Sequence, residues 1–435
     1  MKGEQMKVTA ITLGCKVNQY ESQSMLNTLF SEGCTACDSI PESDIVIINS
    51  CTVTSVSDRK VRQTVRRTRR ENPHAVIVLT GCMSQAFPEK ASRLTEADIV
   101  LGNSNHSSLI PDIRKFLKTH KRIIDIVPHN RTFEPMQVSH FYERTRAFVK
   151  IEDGCNNFCS YCIIPYARGM VRSKPLENLK KELAEIAANS YREVVLTGID
   201  LSAYGQEIGL TLCDAVEAAC GQEGIERVRL GSLEPERLDA KTIARLKCQK
   251  KLCPQFHLSL QSGCNATLKR MNRHYTAEEY RNIVENLRAS FPNAAITTDI
   301  MVGFPGETED EFEESLAFER EIAFAKAHVF IYSRRPGTTA AKMPSQVAPQ
   351  VAEERSHKMI QAAEETRESF FSMQKGREEP VLFERECGPG IYEGYTENYT
   401  PVHATSSKKI GGLILPVKIT GYDSTCCNGT ICKSV

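Results

Sequence analysis

The chain has 435 residues, with 55 basic and 54 acidic side chains, a formal net charge of +1, 17 cysteines and no tryptophan. Near-neutrality excludes a global electrostatic pull on nucleic acid, so any such attraction has to be local, and no apolar run approaches the roughly 18 residues of a membrane span. So many cysteines, with no signal-peptide core or cleavage site ahead of the strand-like segment 8–13, point to a reducing cytoplasm and to metal sites rather than disulfides.

Length favours about three domains. Residues 1–128 read as the first, an α/β layer. Three apolar runs each end in cysteine: 8–15 (VTAITLGC), 44–51 (DIVIINSC) and 75–82 (AVIVLTGC). Helical patterns at 18–30 and 56–70 separate them, and runs at 98–101 and 122–127 complete a set of buried parallel strands. Parallel strands share a direction, so Cys15, Cys51 and Cys82 fall at the carboxyl edge of one sheet, where open α/β sheets bind ligands. Three thiolates there would hold an iron–sulfur cluster with one iron left open; the bland alternative is three small buried hydrophobes. The helix at 59–70 carries seven basic residues and no acid. Charge runs are usually a solvated face, but Arg66, Arg67, Arg69 and Arg70 in a neutral chain also suit an RNA-facing stripe. The lone Cys34/Cys37 pair lacks a second pair and reads as incidental.

Residues 129–146 lack periodicity and read as a linker. From 147 to 348 strand and helix alternate. Strands are expected at 147–152, 193–197, 227–231, 255–260, 295–302 and 328–332. Helices are expected at 176–189, 212–220, 236–247, 277–289 and 309–322, the last two opened by capping boxes at Thr276/Glu279 and Thr308/Glu311. Six such units make a partial, open (β/α)6 barrel. After its first strand comes GCNNFCSYC at 154–162. Cys155, Cys159 and Cys162 are soft ligands at a spacing suited to an iron–sulfur cluster, one short of the four that would close it. Zinc is the rival metal, but a structural zinc site takes a fourth Cys or His nearby, and none follows until Cys213. His257, His274 and His328 are candidate acid–base groups, with a structural role as the alternative. Residues 349–375 read as one connecting helix. Residues 376–435 hold short β candidates at 381–383, 391–395, 401–404 and 413–420, a small barrel with six basic and seven acidic residues. Tyr395 and Tyr399 suit base stacking or a core. Cys426, Cys427 and Cys432 have no ligand-like surroundings.

The CxxxCxxC loop with Tyr161 before its third cysteine resembles the signature of the radical S-adenosylmethionine (SAM) superfamily. LGCKVNQYE at 13–21, NSCTVT at 49–54 and TGC at 80–82 resemble the amino-terminal domain of its methylthiotransferase family. The first of these segments is similar to the branch acting on threonylcarbamoyladenosine beside the anticodon of tRNA. LSLQSG at 258–263, MNRHYT at 271–276 and YSRRPGT at 332–338 resemble that family's core, and the last sixty residues resemble its RNA-binding TRAM domain.

This resemblance implies two [4Fe-4S] clusters, one on Cys155/Cys159/Cys162 that binds SAM and one on Cys15/Cys51/Cys82 that carries sulfur. It also implies tRNA as partner and a low-potential electron donor such as flavodoxin or ferredoxin. Strand ends then become candidate SAM contacts: Tyr161, Thr197, Gly198, Asp200, Ser232, Glu234, Gln261, Ser262, Gly303 and Phe304, with Gly198 letting backbone approach the SAM amino group and Phe304 beside the adenine. Arg273, Arg334 and Arg335 become candidate RNA contacts. The rivals are a methylthiotransferase acting on isopentenyladenosine or on a ribosomal-protein aspartate, and a non-catalytic iron–sulfur RNA-binding protein.

Overall fold

The computed structural model of the chain describes residues 5–138, 141 and 145–432. Part of the expected linker, at 139–140 and 142–144, lies outside the described residues, as do 1–4 and 433–435 at the ends.

The first domain is one six-stranded sheet. Strands β1 (Lys7–Thr12), β2 (Thr35–Ala36), β3 (Ile45–Ser50), β4 (Val76–Gly81), β5 (Ile99–Leu101) and β6 (Ile123–Asp125) run parallel in the order β2-β1-β3-β4-β5-β6. Alternate side chains serve opposite faces, as the period of two requires. Ile45, Ile47, Val76 and Val78 pack with Met25 and Leu29 of α1 (Lys16–Ser31). Val46, Ile48, Ile77 and Leu79 pack with Val61 and Val65 of α2 (Ser55–Glu71). Helices α3 (Cys82–Ala86), α4 (Pro88–Ser92) and α5 (Leu109–Thr119) complete the layers. Both faces are covered, which is why the strands read as unbroken Val/Ile runs.

Three described residues of the segment expected as a linker bury in the next core. Met136, Val138 and Phe141 are buried in the barrel cluster, the Val138 N–H donates to Glu182 at 3.0 Å, and the Tyr20 hydroxyl of α1 donates to the Met136 carbonyl at 2.8 Å.

The central domain is a partial parallel barrel. Its elements are β7 (Arg146–Lys150), β8 (Glu152–Asp153), α6 (Ile164–Arg168), β9 (Arg172–Ser173), α7 (Leu176–Ala188), β10 (Glu193–Thr197), α8 (Leu212–Gly221), β11 (Arg227–Leu230), β12 (Ser232–Leu233), α9 (Ala240–Lys247), β13 (Gln255–Leu258), α10 (Asn265–Arg270), α11 (Ala277–Ser290), β14 (Ala295–Val302), α12 (Glu309–Ile322) and β15 (Lys326–Ile331). Strands pair as β7-β10-β11 and β12-β13-β14-β15, with a parallel bridge from Val228 to Leu252. Among the described residues β7 and β15 gain no outer partner, so the wall is open between them. Helices α11 and α12 begin with the expected capping boxes. Helix α9 starts later than its pattern suggests because Asp239 caps it, accepting from the Thr242 N–H. The antiparallel β8/β9 pair and the short α6 and α10 carry no periodicity long enough to be read in advance.

Leu258, Ile296, Ile300 and Val302 point outward into a core with Tyr280, Val284, Phe312 and Leu316 of the helices. The inward positions are polar, among them Lys150, Glu193, Arg229, His257 and Asp299.

Helix α13 (Pro349–Gln374) leads to a closed antiparallel-rich barrel of β16 (Glu378–Gly388), β17 (Ile391–Tyr395), β18 (Pro401–Thr405), β19 (Ile414–Tyr422) and β20 (Cys427–Ile431), in the order β16-β17-β18-β20-β19. Closure removes exposed strand edges. The fifth strand, CNGTI, has too little β signal to be expected from sequence. This small barrel plugs the amino ends of the central strands. Arg227 donates to the Pro380 carbonyl at 2.7 Å and Arg229 to the Glu397 carbonyl at 2.8 Å.

Candidate active site

Cys155, Cys159 and Cys162 sit in the loop between β8 and α6, at the carboxyl edge of the barrel. Gly154 has φ +94°, and a Cβ there would lie 2.1 Å from the Met170 carbonyl oxygen, so only glycine fits the entry to the loop. The loop is pinned by the Cys155 N–H to the Gly169 carbonyl at 3.0 Å and the Ser160 N–H to the Met271 carbonyl at 2.9 Å. Each sulfur accepts a hydrogen bond: Cys155 from the Asn157 N–H (3.5 Å), Cys162 from the Ile164 N–H (3.4 Å) and Cys159 from the Arg273 guanidinium (3.3 Å). That is the environment of a thiolate. Burial nevertheless raises all three thiols, Cys162 to about 12.

Cys15 caps α1, Cys51 follows β3 and Cys82 opens α3 after β4. The Asn18 amide donates to Asn49 Oδ1 at 2.9 Å and the Asn49 amide to the Asn18 carbonyl at 3.0 Å, which fixes the start of α1 against the end of β3. Gly81 has φ +99°, and a Cβ would meet Ser50 backbone at 2.5 Å. Burial raises the Cys15 and Cys51 thiols, Cys51 to about 11, and the neighbouring Cys82 adds to both shifts. Among the described residues no group of three His, Cys, Asp or Glu side chains is arranged around one metal ion.

The two trios belong to facing layers. Helix α3, which Cys82 begins, packs on α6, which follows Cys162. Arg168 of α6 is fully buried and its Nε donates to the Cys82 sulfur at 3.3 Å.

Around the barrel loop lie acceptors without donors. Glu152 Oε2 accepts from the Ile199 and Asp200 N–H groups, both at 2.7 Å, while its Oε1 is buried and unpartnered. Asp200 Oδ1 and Gln261 Oε1 are also buried and unpartnered. Burial, then the Glu234 charge, raises the Asp200 carboxyl to about 7. Orphaned buried acceptors are costly unless a ligand brings donors, and the ammonium of SAM is such a donor, so the residues present fit it. Thr197 is buried next to Gly198, where a Cβ would lie 2.6 Å from Glu152 Oε2.

Other expected contacts have partners within the protein. Ser262 accepts from the Cys264 N–H at 3.2 Å, and the Gly303 N–H donates to Glu307 at 2.7 Å. Phe304 is fully buried with Tyr161, Met271 and Met301, edge-on to Tyr161 at 6.4 Å and to Tyr332 at 5.5 Å, so its ring supports the cysteine loop. Ser232 lies lower, on the wall of an internal cavity.

Of the arginines read as RNA contacts, Arg273 is buried against Glu234 and Cys159. Arg335 is buried against Asp58 (2.8 Å) and Thr52 (2.8 Å) of the first domain. Arg69 is bound to Asp98 at 2.6 Å and to three carbonyls. None of these three presents its guanidinium to the surface. Arg66, Arg67, Arg70 and Arg334 remain exposed. Tyr395 and Tyr399 stack on each other at 4.6 Å under Arg146, so they belong to the plug beneath the barrel. Sequence reading missed Glu152, Arg168 and the sulfur contact of Arg273. The acidic pair Glu152-Asp153 directly before the cysteine loop was the available signal for the first.

An open parallel barrel with a three-cysteine loop on its first strand end and buried acceptors around it defines a radical SAM enzyme. Residues 149–318 match the radical SAM superfamily, and residues 7–102 match the uncharacterized protein family UPF0004. The radical SAM methyltransferase TsrM from Kitasatospora setae, solved with cobalamin and a [4Fe-4S] cluster, shares the fold with a TM-score of 0.57 at 14% identity, over 78% of this chain and 77% of that one. Closer in sequence are two proteins named threonylcarbamoyladenosine tRNA methylthiotransferase MtaB. The one from Bacillus subtilis is 36% identical over 94% of this chain and 93% of its own length. The one from Thermotoga maritima is 36% identical over 93% of each chain. A tRNA-2-methylthio-N(6)-dimethylallyladenosine synthase from Pelotomaculum thermopropionicum is 34% identical over 95% of both. The chain belongs to the tRNA methylthiotransferase family of radical SAM enzymes, whose cofactors are [4Fe-4S] clusters and SAM.

Proposed function

We propose that this enzyme adds a methylthio group to carbon 2 of N6-threonylcarbamoyladenosine at position 37 of tRNA, next to the anticodon. The observation that carries the reading is the pair of cysteine trios on facing layers, with α3 packed on α6 and Arg168 bridging them. When bound, the clusters and SAM supply the sulfur, its methyl group and the one-electron chemistry that opens a carbon–hydrogen bond.

The chain's own residues hold and enclose. Cys155, Cys159 and Cys162 hold the SAM-binding cluster, and Cys15, Cys51 and Cys82 the sulfur-bearing one. Arg273 and Arg168 each place a guanidinium on one sulfur, that of Cys159 and of Cys82 respectively. Glu152 orients the Ile199–Asp200 backbone and leaves one oxygen for the SAM ammonium, with Asp200, Gln261 and Thr197 around it. Water is kept out by the first domain, which is latched to the barrel through buried pairs: Arg335 to Asp58 at 2.8 Å and Lys150 to Glu21 at 2.7 Å. The exposed Arg66, Arg67 and Arg70 of α2, with Arg334, meet the phosphates of the anticodon stem-loop. A low-potential flavodoxin or ferredoxin delivers the electron. Among the described residues no helix is long and apolar enough to cross a membrane, and a tRNA substrate places the enzyme in the cytoplasm.

The test is anaerobic reconstitution with iron and sulfide, then SAM, reductant and tRNA bearing threonylcarbamoyladenosine, followed by nucleoside mass analysis. A methylthio adduct of that nucleoside with release of 5′-deoxyadenosine is expected. An adduct formed only on dimethylallyladenosine overturns the substrate, and intact clusters without SAM cleavage overturn the enzyme.

A further inference from the structure

A cavity with a volume of about 670 Å³ lies inside the barrel, below the cysteine loop. That is the size of a small-molecule site. Its wall is built from neighbouring inward positions. Ser232, His257, Thr297 and Lys326 form one rung across β12 to β15, and Asp299 and His328 the next. Lys16, the residue after Cys15, enters through the open side of the barrel. The stacked tyrosines of the terminal barrel close the bottom.

Charge on this wall is uneven. The Asp299 carboxylate is answered by His257, whose Nε2 lies 3.3 Å away. Glu393 is answered by Arg385 at 3.3 Å and by the Tyr395 hydroxyl at 3.1 Å. Lys16 and Lys326 have no ion pair or hydrogen bond to their ammonium groups among the described residues. Burial, and then the nearby Arg367, holds the Lys326 ammonium below its ordinary value. Both lysines line the cavity with solvent-accessible side chains, and an anionic ligand would supply the counter-ion that each lacks. The chamber is therefore built for a carboxylate rather than for a branched hydrocarbon.

Its position ties it to the reaction. Ser232 is two residues from Glu234, about 7 Å along an extended chain, and Glu234 pairs with the arginine that donates to Cys159. At the other side Lys16 adjoins Cys15. On adenine, carbon 2 and the carbon that bears N6 flank N1 on one edge, so a base whose carbon 2 is held between the two trios keeps its N6 substituent on that same side, within reach of a space that adjoins them.

We propose that the cavity is the subsite for the threonylcarbamoyl substituent of the target adenosine, with Lys326 and Lys16 receiving its carboxylate; this rests on the substrate reading above. The test measures binding, without SAM, by the cluster-loaded full chain to fluorescent anticodon stem-loop RNAs carrying threonylcarbamoyladenosine, dimethylallyladenosine or plain adenosine at position 37. Native protein should prefer the first at least tenfold over the second. Lys326→Met should bring that ratio to within about twofold, and Lys326→Arg should retain most of it. Lys16→Met should act likewise with its iron content verified, since it adjoins a cluster ligand. A full preference in both Met variants overturns the subsite while leaving the substrate reading standing, provided native enzyme still modifies threonylcarbamoyladenosine. Loss of that modification, with the adduct on dimethylallyladenosine instead, overturns the substrate reading itself.

Discussion

Arg168 and Cys82 belong to different domains, yet the Arg168 Nε donates to the Cys82 sulfur at 3.3 Å. The same guanidinium grips Glu21 of α1 and reaches Asp153 at 3.4 Å, while Lys150 bonds both carboxylates at 2.7 Å. Arg172 adds a third cation on Asp153 at 3.2 Å. Three cations against two carboxylates leave a buried positive surplus beside the Cys15/Cys51/Cys82 trio. Such a surplus is costly in isolation and favourable next to thiolates. The network thus ties the first domain to the barrel, and in the proposed reading its surplus charge faces an anionic cluster.

Removing the hub should show both roles. Arg168→Met leaves Glu21 and Asp153 with Lys150 and Arg172 only, and strands the Cys82 sulfur. Breaking a buried pair of this kind costs roughly 3–5 kcal/mol. The expected outcome is a lower unfolding midpoint in denaturant, together with loss of iron from the first domain, read in a Cys155/Cys159/Cys162→Ala background. Arg168→Lys keeps the charge but not the planar fork, so it should recover part of the stability and little of the iron.

Gly198→Ala tests the SAM assignment. The added methyl would press on Glu152 Oε2 at 2.6 Å, the atom that orders the Ile199 and Asp200 N–H groups. SAM affinity, measured by equilibrium binding to cluster-loaded protein, should fall at least tenfold while iron content holds. Unchanged affinity would remove Glu152 and its backbone from the SAM site.

The cysteines were readable for two different physical reasons. Cys155, Cys159 and Cys162 are local, so their spacing alone reports a shared ligand. Cys15, Cys51 and Cys82 are distant, but each ends a strand, and parallel strands bring their carboxyl ends together. Arg273 shows where this stops. Sequence reading gave it a phosphate, whereas the structure buries it between Glu234 and Cys159, because which acceptor a guanidinium meets is decided by long-range packing and leaves no local trace. Arg335, buried on Asp58 across 277 residues of chain, fails for the same reason. The burial of Met136, Val138 and Phe141 in the expected linker was not legible because they bury singly, without the repeat that marks a helix or strand. The internal cavity was invisible, since inward barrel positions look like any polar alternation.

Glu319 gives a pH test outside the active site. It is fully buried on α12, with Oε1 accepting from the Thr366 hydroxyl at 2.9 Å and Oε2 unpartnered. Burial raises its carboxyl from 4.5 to about 6. A folded pKa above the unfolded one means that the native state holds the extra proton between these values. The stabilisation is therefore complete below pH 4.5 and is lost as pH rises through 6, a change of about 2 kcal/mol. Glu319→Gln cannot titrate. Between pH 4.5 and pH 7 the native chain should lose about 2 kcal/mol relative to this variant, measured by urea unfolding at each pH; parallel curves would show that Glu319 ionises normally.

Helix α2 is the place to test the proposed RNA-facing stripe. Its seven cations are not equivalent. Val61, Val65 and Thr68 face the sheet, Arg69 is bound into the fold, and Arg66 and Arg67 make only exposed pairs with Glu96 at 3.2 Å and Glu71 at 3.7 Å. Exposed pairs of this kind are worth little and yield readily to a phosphate. Arg59 and Arg70 are exposed as well. Each phosphate contact releases counter-ions, so the slope of log affinity against log salt counts contacts, at roughly 0.7 to 0.9 per contact. Replacing Arg59, Arg66, Arg67 and Arg70 by Gln should flatten that slope by about 3 and weaken binding of modified and unmodified tRNA alike. Arg69→Gln should instead lower stability, because Asp98 and three carbonyls lose their donor, and should leave the slope of the remaining folded protein as it was. An unchanged slope in the fourfold variant would show that this face of α2 meets solvent, not RNA.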